Sequence, residues 1–135
     1  TTPVDAIQPS PYHARNFCYE ANQEFITSVR ERGYPVPKPV VRAVDDGYEV
    51  VNGHKRLWVS HVAGVGDIRA HVIHIDDWEA AQLFVANHLD GSYSQSEADV
   101  AIARLQERWG DRVAHFEIAP RYLTSTQIQE EQASV

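Results

Sequence analysis

The sequence predicts a small α/β (α+β) domain, a mixed sheet with flanking helices. Three observations carry this. β-Branched runs at 40–44 and 48–51 flank the turn signal Asp45-Asp46-Gly47, which reads as a hairpin. Stretches with apolar residues at helical spacing precede and follow that hairpin. Two boxes, Asp76-Asp77-Trp78-Glu79 and Ser94-Gln95-Ser96-Glu97, have the oxygen-bearing cap and the glutamate three residues on that open helices. The length of 135 residues and the 43% apolar content suit one folded core.

The elements follow in order. Val4 to Ile7 is expected as a first short strand. Pro9-Ser10-Pro11 is a loop, because proline fixes φ and steers the residue before it away from helix. Asn16 to Arg32 is expected as a helix, with Phe25, Ile26 and Val29 on one face and Gly33 as its stop. Pro35, Pro37 and Pro39 keep the next stretch extended. After the hairpin, His54 to Ala63 is expected as a helix ended by Gly64. Ile68 to Ile75 alternates and is expected as a strand. The first box opens a helix through about His88, and Asp90-Gly91-Ser92 breaks it. The second opens a helix to about Trp109, with Ala98, Ile102, Leu105 and Trp109 on one face. Val113 to Ile118 reads equally as strand or short helix. Thr124 to Val135 is polar and expected as a frayed helix or tail.

The formal net charge of -7, from 19 acidic and 12 basic residues, disfavours a surface that binds nucleic acid throughout, yet allows a local basic patch. Only Lys38 and Lys55 are lysines; the other basic residues are arginines. No apolar run approaches the ~18 residues of a membrane span. The N-terminus lacks a signal-peptide layout. A cytoplasmic protein with no membrane partner is therefore expected. Cys18 is the only cysteine, which excludes an intrachain disulfide and a cysteine-based zinc site; a semi-buried thiol is expected.

The stretch VVNGHKRLWVSHVAG, Val50 to Gly64, carries the chemistry. A strand ends at Asn52-Gly53 and a helix starts at once, with Lys55 and Arg56 in its first turn. The helix dipole disfavours cations there. The amides of a first turn lack intrahelical partners and, with the dipole, form an anion site. Gly53 permits close backbone approach, and the two cations add full charges. A phosphate satisfies all of these; a plain strand-to-helix turn with two solvated cations is the alternative. Neither GxxxxGK[ST] nor GxGxxG occurs. His71 and His74 point to opposite faces of a strand, and His54 and His61, seven apart, could share a helix face but at a separation that rarely binds one ion, so a histidine metal site is not expected. Glu20 and Glu24 read as a solvated helix face, Arg30 and Arg32 as helix-end cations, and Trp58 and Trp78 as core.

IQPSPYHAR, the helix ending RERGYPVPKPVVRAV, and GYEVVNGHKRLWVSHVAGVGDIRAHVIHIDDWEAAQLFVANHL together resemble the N-terminal domain of the ParB/sulfiredoxin superfamily. The resemblance covers about Val4 to Trp109. It implies residues 1–110 as a nucleotide-binding domain and 111–135 as a C-terminal extension that does not read as helix-turn-helix. By position, Gly53, His54, Lys55 and Arg56 match the Gly-Glu-Arg-Arg motif, Arg15 the arginine of the first motif, and Asn87 the asparagine of the third. The resemblance implies binding of CTP, or second ATP, with Mg2+ brought by the nucleotide and held mainly by phosphate and water. It also implies control of a homodimer that meets DNA or a DNA-binding partner in chromosome or plasmid partitioning. His54 stands where sulfiredoxins have their cysteine, which speaks against that activity. Ala86 occupies a glutamate position tied to hydrolysis, so weak or no nucleoside triphosphatase activity is expected. The alternatives are an ATP-dependent small-molecule kinase of the same superfamily and a DNA-binding module that needs no nucleotide.

Overall fold

Short strands dominate the first half of the chain. The computed structural model describes residues 1–123. In chain order it contains β1 (Thr2–Pro3), β2 (Ile7–Gln8), α1 (Gln23–Arg32), β3 (Val40–Val44), β4 (Gly47–Asn52), α2 (His54–Val62), β5 (Asp67–Ile68), β6 (His71–Ile73), α3 (Asp77–His88) and α4 (Gln95–Trp109). By internal contacts the chain divides into two units. The first is Thr1–Ser10 with Asn16–Asp76, and the second is Pro11–Arg15 with the described residues from Asp77 onward.

The first unit holds the sheets. The hairpin forms as expected, with Arg42 directly opposite Glu49. β2 joins β4 in parallel and β6 joins β3 in parallel, giving a mixed sheet of order β2-β4-β3-β6. β1 and β5 pair separately and antiparallel. Val4, Ile7, Val41, Val50, Leu57 and Ile68 form the main core, and Ile26, Val29 and Val59 join α1 to α2. Trp58 is half-buried against that second cluster.

Four expectations need correction here. The strand at Val4–Ile7 is a 3-10 turn over Val4–Ala6 between two two-residue strands. Val4 and Ile7 are both buried, and a spacing of three brings side chains together on a three-residue turn rather than on a strand. The first helix does not begin at Asn16 but at Gln23, after a 3-10 turn over Glu20–Asn22. The Asn22 side-chain Nδ2 donates to the Cys18 carbonyl at 2.7 Å, a local bond that competes with helix. Glu20 therefore lies in that turn and Glu24 in α1. Cys18 is exposed, not semi-buried, with its Sγ 3.1 Å from a Glu20 carboxylate oxygen. The strand at Ile68–Ile75 is split, because β5 pairs with β1 while β6 pairs with β3, and His74 lies beyond β6. Gly33 does end α1 in the left-handed conformation, its N–H bonded to the Val29 carbonyl at 2.7 Å.

The second unit packs Tyr12 with Ala81, Phe84 and Val85 of α3 and Ala98, Ala101, Ile102 and Leu105 of α4. The Ser94–Glu97 box forms in full at the start of α4. Trp78 stacks on Phe116 at 4.7 Å and meets Trp109 edge-on at 5.0 Å. Of the undecided stretch Val113–Ile118, the first half ends a 3-10 helix over Gly110–His115 and the second half is neither strand nor helix. The expected tail at Thr124–Val135 lies outside the described residues. Among the described residues, no helix is long and apolar enough to cross a membrane.

At Gly47 φ is +147°, and an added Cβ would fall on the Ala6 carbonyl oxygen. Gly47→Ala is therefore expected to lower the urea midpoint by the equivalent of about 2 kcal/mol or more, since a left-handed position and a backbone clash coincide. Gly66→Ala, which meets open space, is the control and should change stability little.

Candidate anion-binding site

The junction between β4 and α2 is a single residue. Gly53 adopts φ +114° and ψ 34°, so the strand turns into helix without a linker. An added Cβ would sit 2.9 Å from Pro39 Cβ and 3.1 Å from its Cα. Having no side chain, Gly53 caps the helix with backbone alone, and its carbonyl accepts the Leu57 N–H at 3.0 Å. The amides of Lys55 and Arg56 precede that first i→i−4 bond and have no acceptor within the helix. Lys55 is exposed and Arg56 half-buried. Arg56 Nη1 donates to the Lys38 carbonyl at 3.3 Å. The two lysines of the chain thus lie on the two segments that meet at Gly53.

His54 turns inward and is only 6% exposed. Its Nε2 accepts the Ser10 backbone N–H at 3.0 Å. A ring nitrogen that accepts holds a lone pair, so this bond fits a neutral imidazole protonated on Nδ1. The positive charge at this helix start rests on Lys55 and Arg56, while His54 ties the loop after β2 to the first turn of α2.

The six candidate residues are divided between the units. Gly53 to Arg56 are contiguous in the first, and Arg15 and Asn87 belong to the second. Arg15 Nε donates to Glu97 Oε2 at 3.0 Å, and its Nη2 to the Ser92 carbonyl at 2.8 Å. Asn87 is half-buried near the end of α3, and Ala86 beside it is exposed. The Arg15 hydrogen bonds hold the Glu97 carboxyl down at about 2. Glu97 in turn raises the Arg15 guanidinium. His13 and His88 meet edge-on at 5.6 Å. Burial, then the His88 and Arg15 charges, lower His13 to about 4, and burial also lowers His88.

Sequence reasoning missed Ser10, Lys38, Pro39, His13 and Glu97 as neighbours of candidate residues. Scarcity of lysine was a signal for Lys38. Ser10 and His54 stand 44 positions apart, and Arg15 and Glu97 stand 82 apart, so spacing could not pair them.

Residues 1–88 match the family model of the ParB N-terminal domain. The chromosome-partitioning protein Spo0J of Thermus thermophilus is 35% identical over 88 residues, covering 64% of this chain and 32% of that protein. The probable chromosome-partitioning protein ParB of Coxiella burnetii is 29% identical over 118 residues, covering 86% of this chain and 40% of that protein. The chain therefore spans about a third to two fifths of the length of these relatives. The C-terminally truncated chromosome-partitioning protein ParB of Caulobacter crescentus, complexed with CTP-γ-S, aligns with a TM-score of 0.55 at 22% identity, over 80% of this chain and 62% of that one. The same protein complexed to the centromeric parS site aligns with a TM-score of 0.56 at 20% identity, over 84% of this chain and 62% of that one. At these identities the structural likeness speaks for the fold alone.

The lowered values of His13 and His88, and of Glu97 and Asp90, shape the acid response of the second unit. His13 takes up its proton near 6.5 when unfolded and near 4 when folded, so the unfolded chain binds more protons between those values. Its contribution is complete above pH 6.5 and declines as pH falls to 4. Glu97 contributes fully above pH 4.5 and loses that contribution as pH falls toward 2. The urea midpoint should therefore decline in two stages on acidification. His13→Gln should shrink the upper stage, leaving the His88 share, and Glu97→Gln should shrink the lower, leaving the Asp90 share.

Proposed function

Because the chain belongs to the ParB N-terminal domain family, we propose that it is a nucleoside triphosphate-binding module, with CTP preferred over ATP. In the first unit the phosphates rest on the helix start at Gly53, His54, Lys55 and Arg56; in the second, Arg15 and Asn87 are read as phosphate-binding residues from their motif positions alone. The observation that carries this reading is the Gly53 corner. There a residue without a side chain, first-turn amides and two cations coincide at a helix end that cations otherwise avoid.

CTP is placed first because a protein of the same fold has been solved with CTP-γ-S. Mg2+ arrives with the nucleotide and is held mainly by phosphate oxygens and water. Ala86, with a methyl group only, can neither hold a metal nor orient water, so hydrolysis is weak or absent. The same family likeness supports a homodimer that meets DNA or a DNA-bound partner under nucleotide control in partitioning.

Calorimetric titration with CTP, ATP and GTP, each with Mg2+, tests this reading. Saturable binding is expected, tightest for CTP. Replacing both cations, Lys55→Ala/Arg56→Ala, should weaken it roughly 100-fold, the loss of two charge-assisted hydrogen bonds. Binding to none of the three, at low or high salt, would overturn the proposal. Salt-dependent DNA binding in its place would mark a DNA module that needs no nucleotide.

A further inference from the structure

The Arg15 guanidinium is already engaged along one edge. Nε donates to Glu97 Oε2 at 3.0 Å, and Nη2 donates to Glu97 Oε1 at 3.3 Å and to the Ser92 carbonyl at 2.8 Å. The guanidinium lies over the Tyr93 ring at 5.0 Å. The pair is open to solvent, with side chains 37% and 22% exposed for Arg15 and Glu97. Glu97 has a second duty. Its Oε1 accepts the Ser94 N–H at 2.7 Å, while its own N–H donates to Ser94 Oγ at 3.2 Å, closing the cap of α4.

We propose that Glu97 is an intramolecular latch on Arg15, holding the edge of the guanidinium that a phosphate group would take. The proposal rests on the reading of Arg15 as a phosphate-binding residue. A carboxylate and a phosphate present paired oxygens to the same planar fork, so the two compete for one set of donors. The Glu97 charge also opposes any phosphate drawn to Arg15. When phosphate replaces the carboxylate, Glu97 keeps its bond to Ser94 and the helix cap survives. What is released is the tie between Arg15 and α4. The rest of the segment 11–15 stays attached, because Arg104 Nη1 holds the His13 carbonyl at 2.7 Å and the Ala14 N–H reaches the Tyr93 hydroxyl at 3.2 Å.

Glu97→Gln separates the two duties. Glutamine retains an amide oxygen for the Ser94 N–H, so the cap is preserved, but the charge is gone. Titration with Mg-CTP should show binding about fivefold or more tighter than wild type, as a charged competitor becomes a neutral one. In an Arg15→Ala background the same change should alter affinity less than about twofold, the signature of coupling between the two residues. Circular dichroism of each variant checks that α4 persists. Wild-type binding with no gain from Glu97→Gln overturns the latch and leaves the nucleotide reading intact. An equal gain without Arg15 also overturns it, as a general charge effect. Failure of both proteins to bind any triphosphate overturns both proposals, whereas binding by Glu97→Gln alone supports the latch.

Discussion

The close approach of Gly53 to Pro39 sets the terms for the first unit. Pro39 lies within 3.1 Å of where a Cβ would stand, and the backbone at Gly53 is left-handed. These two facts let β4 end at Asn52 and α2 begin at His54. Without a linker, the helix inherits its phase from the strand. Leu57 and Val59 then fall inward into the core, and His54 reaches the loop at Ser10. The same phase leaves Lys55 outward, so one residue's backbone decides both what is packed and what is presented.

The starts of α2 and α4 form a contrast within one chain. α4 opens with a serine cap and a glutamate in its first turn, which satisfies its amides and complements the dipole. α2 opens with a glycine and two cations, which does neither. A chain with net charge -7 has carboxylates to spare for the helix start at Gly53. Where a sequence breaks a local rule that it follows elsewhere, a functional reason is the first to examine.

Much of the scaffold was legible in the sequence where a local signal has one structural meaning. Asp45-Asp46-Gly47 gave the hairpin, Gly33 the end of α1, and Ser94 with Glu97 the start of α4. The errors fell where one pattern serves two structures. Buried Val4 and Ile7 fit a strand's rhythm poorly and a 3-10 turn well, and short apolar alternation from Ile68 to Ile75 does not reveal a change of sheet partner. At the site, Gly53 to Arg56 were legible because they are contiguous. The Arg15–Glu97 and Ser10–His54 bonds depend on chain folding over long separations, which residue spacing does not encode.

The segment Pro11–Arg15 belongs to the second unit, although the residues on both sides of it belong to the first. The chain therefore crosses between units after Ser10, after Arg15 and after Asp76, and no single cut yields both pieces whole. A fragment beginning at Asp77 would lack the Tyr12 hydroxyl that receives Trp109 Nε1–H at 2.8 Å across 97 positions. Bringing such distant residues together incurs a loop-closure entropy before their contacts can compensate. During synthesis, the early residues 11–15 must wait for α4 to emerge before their own packing is complete.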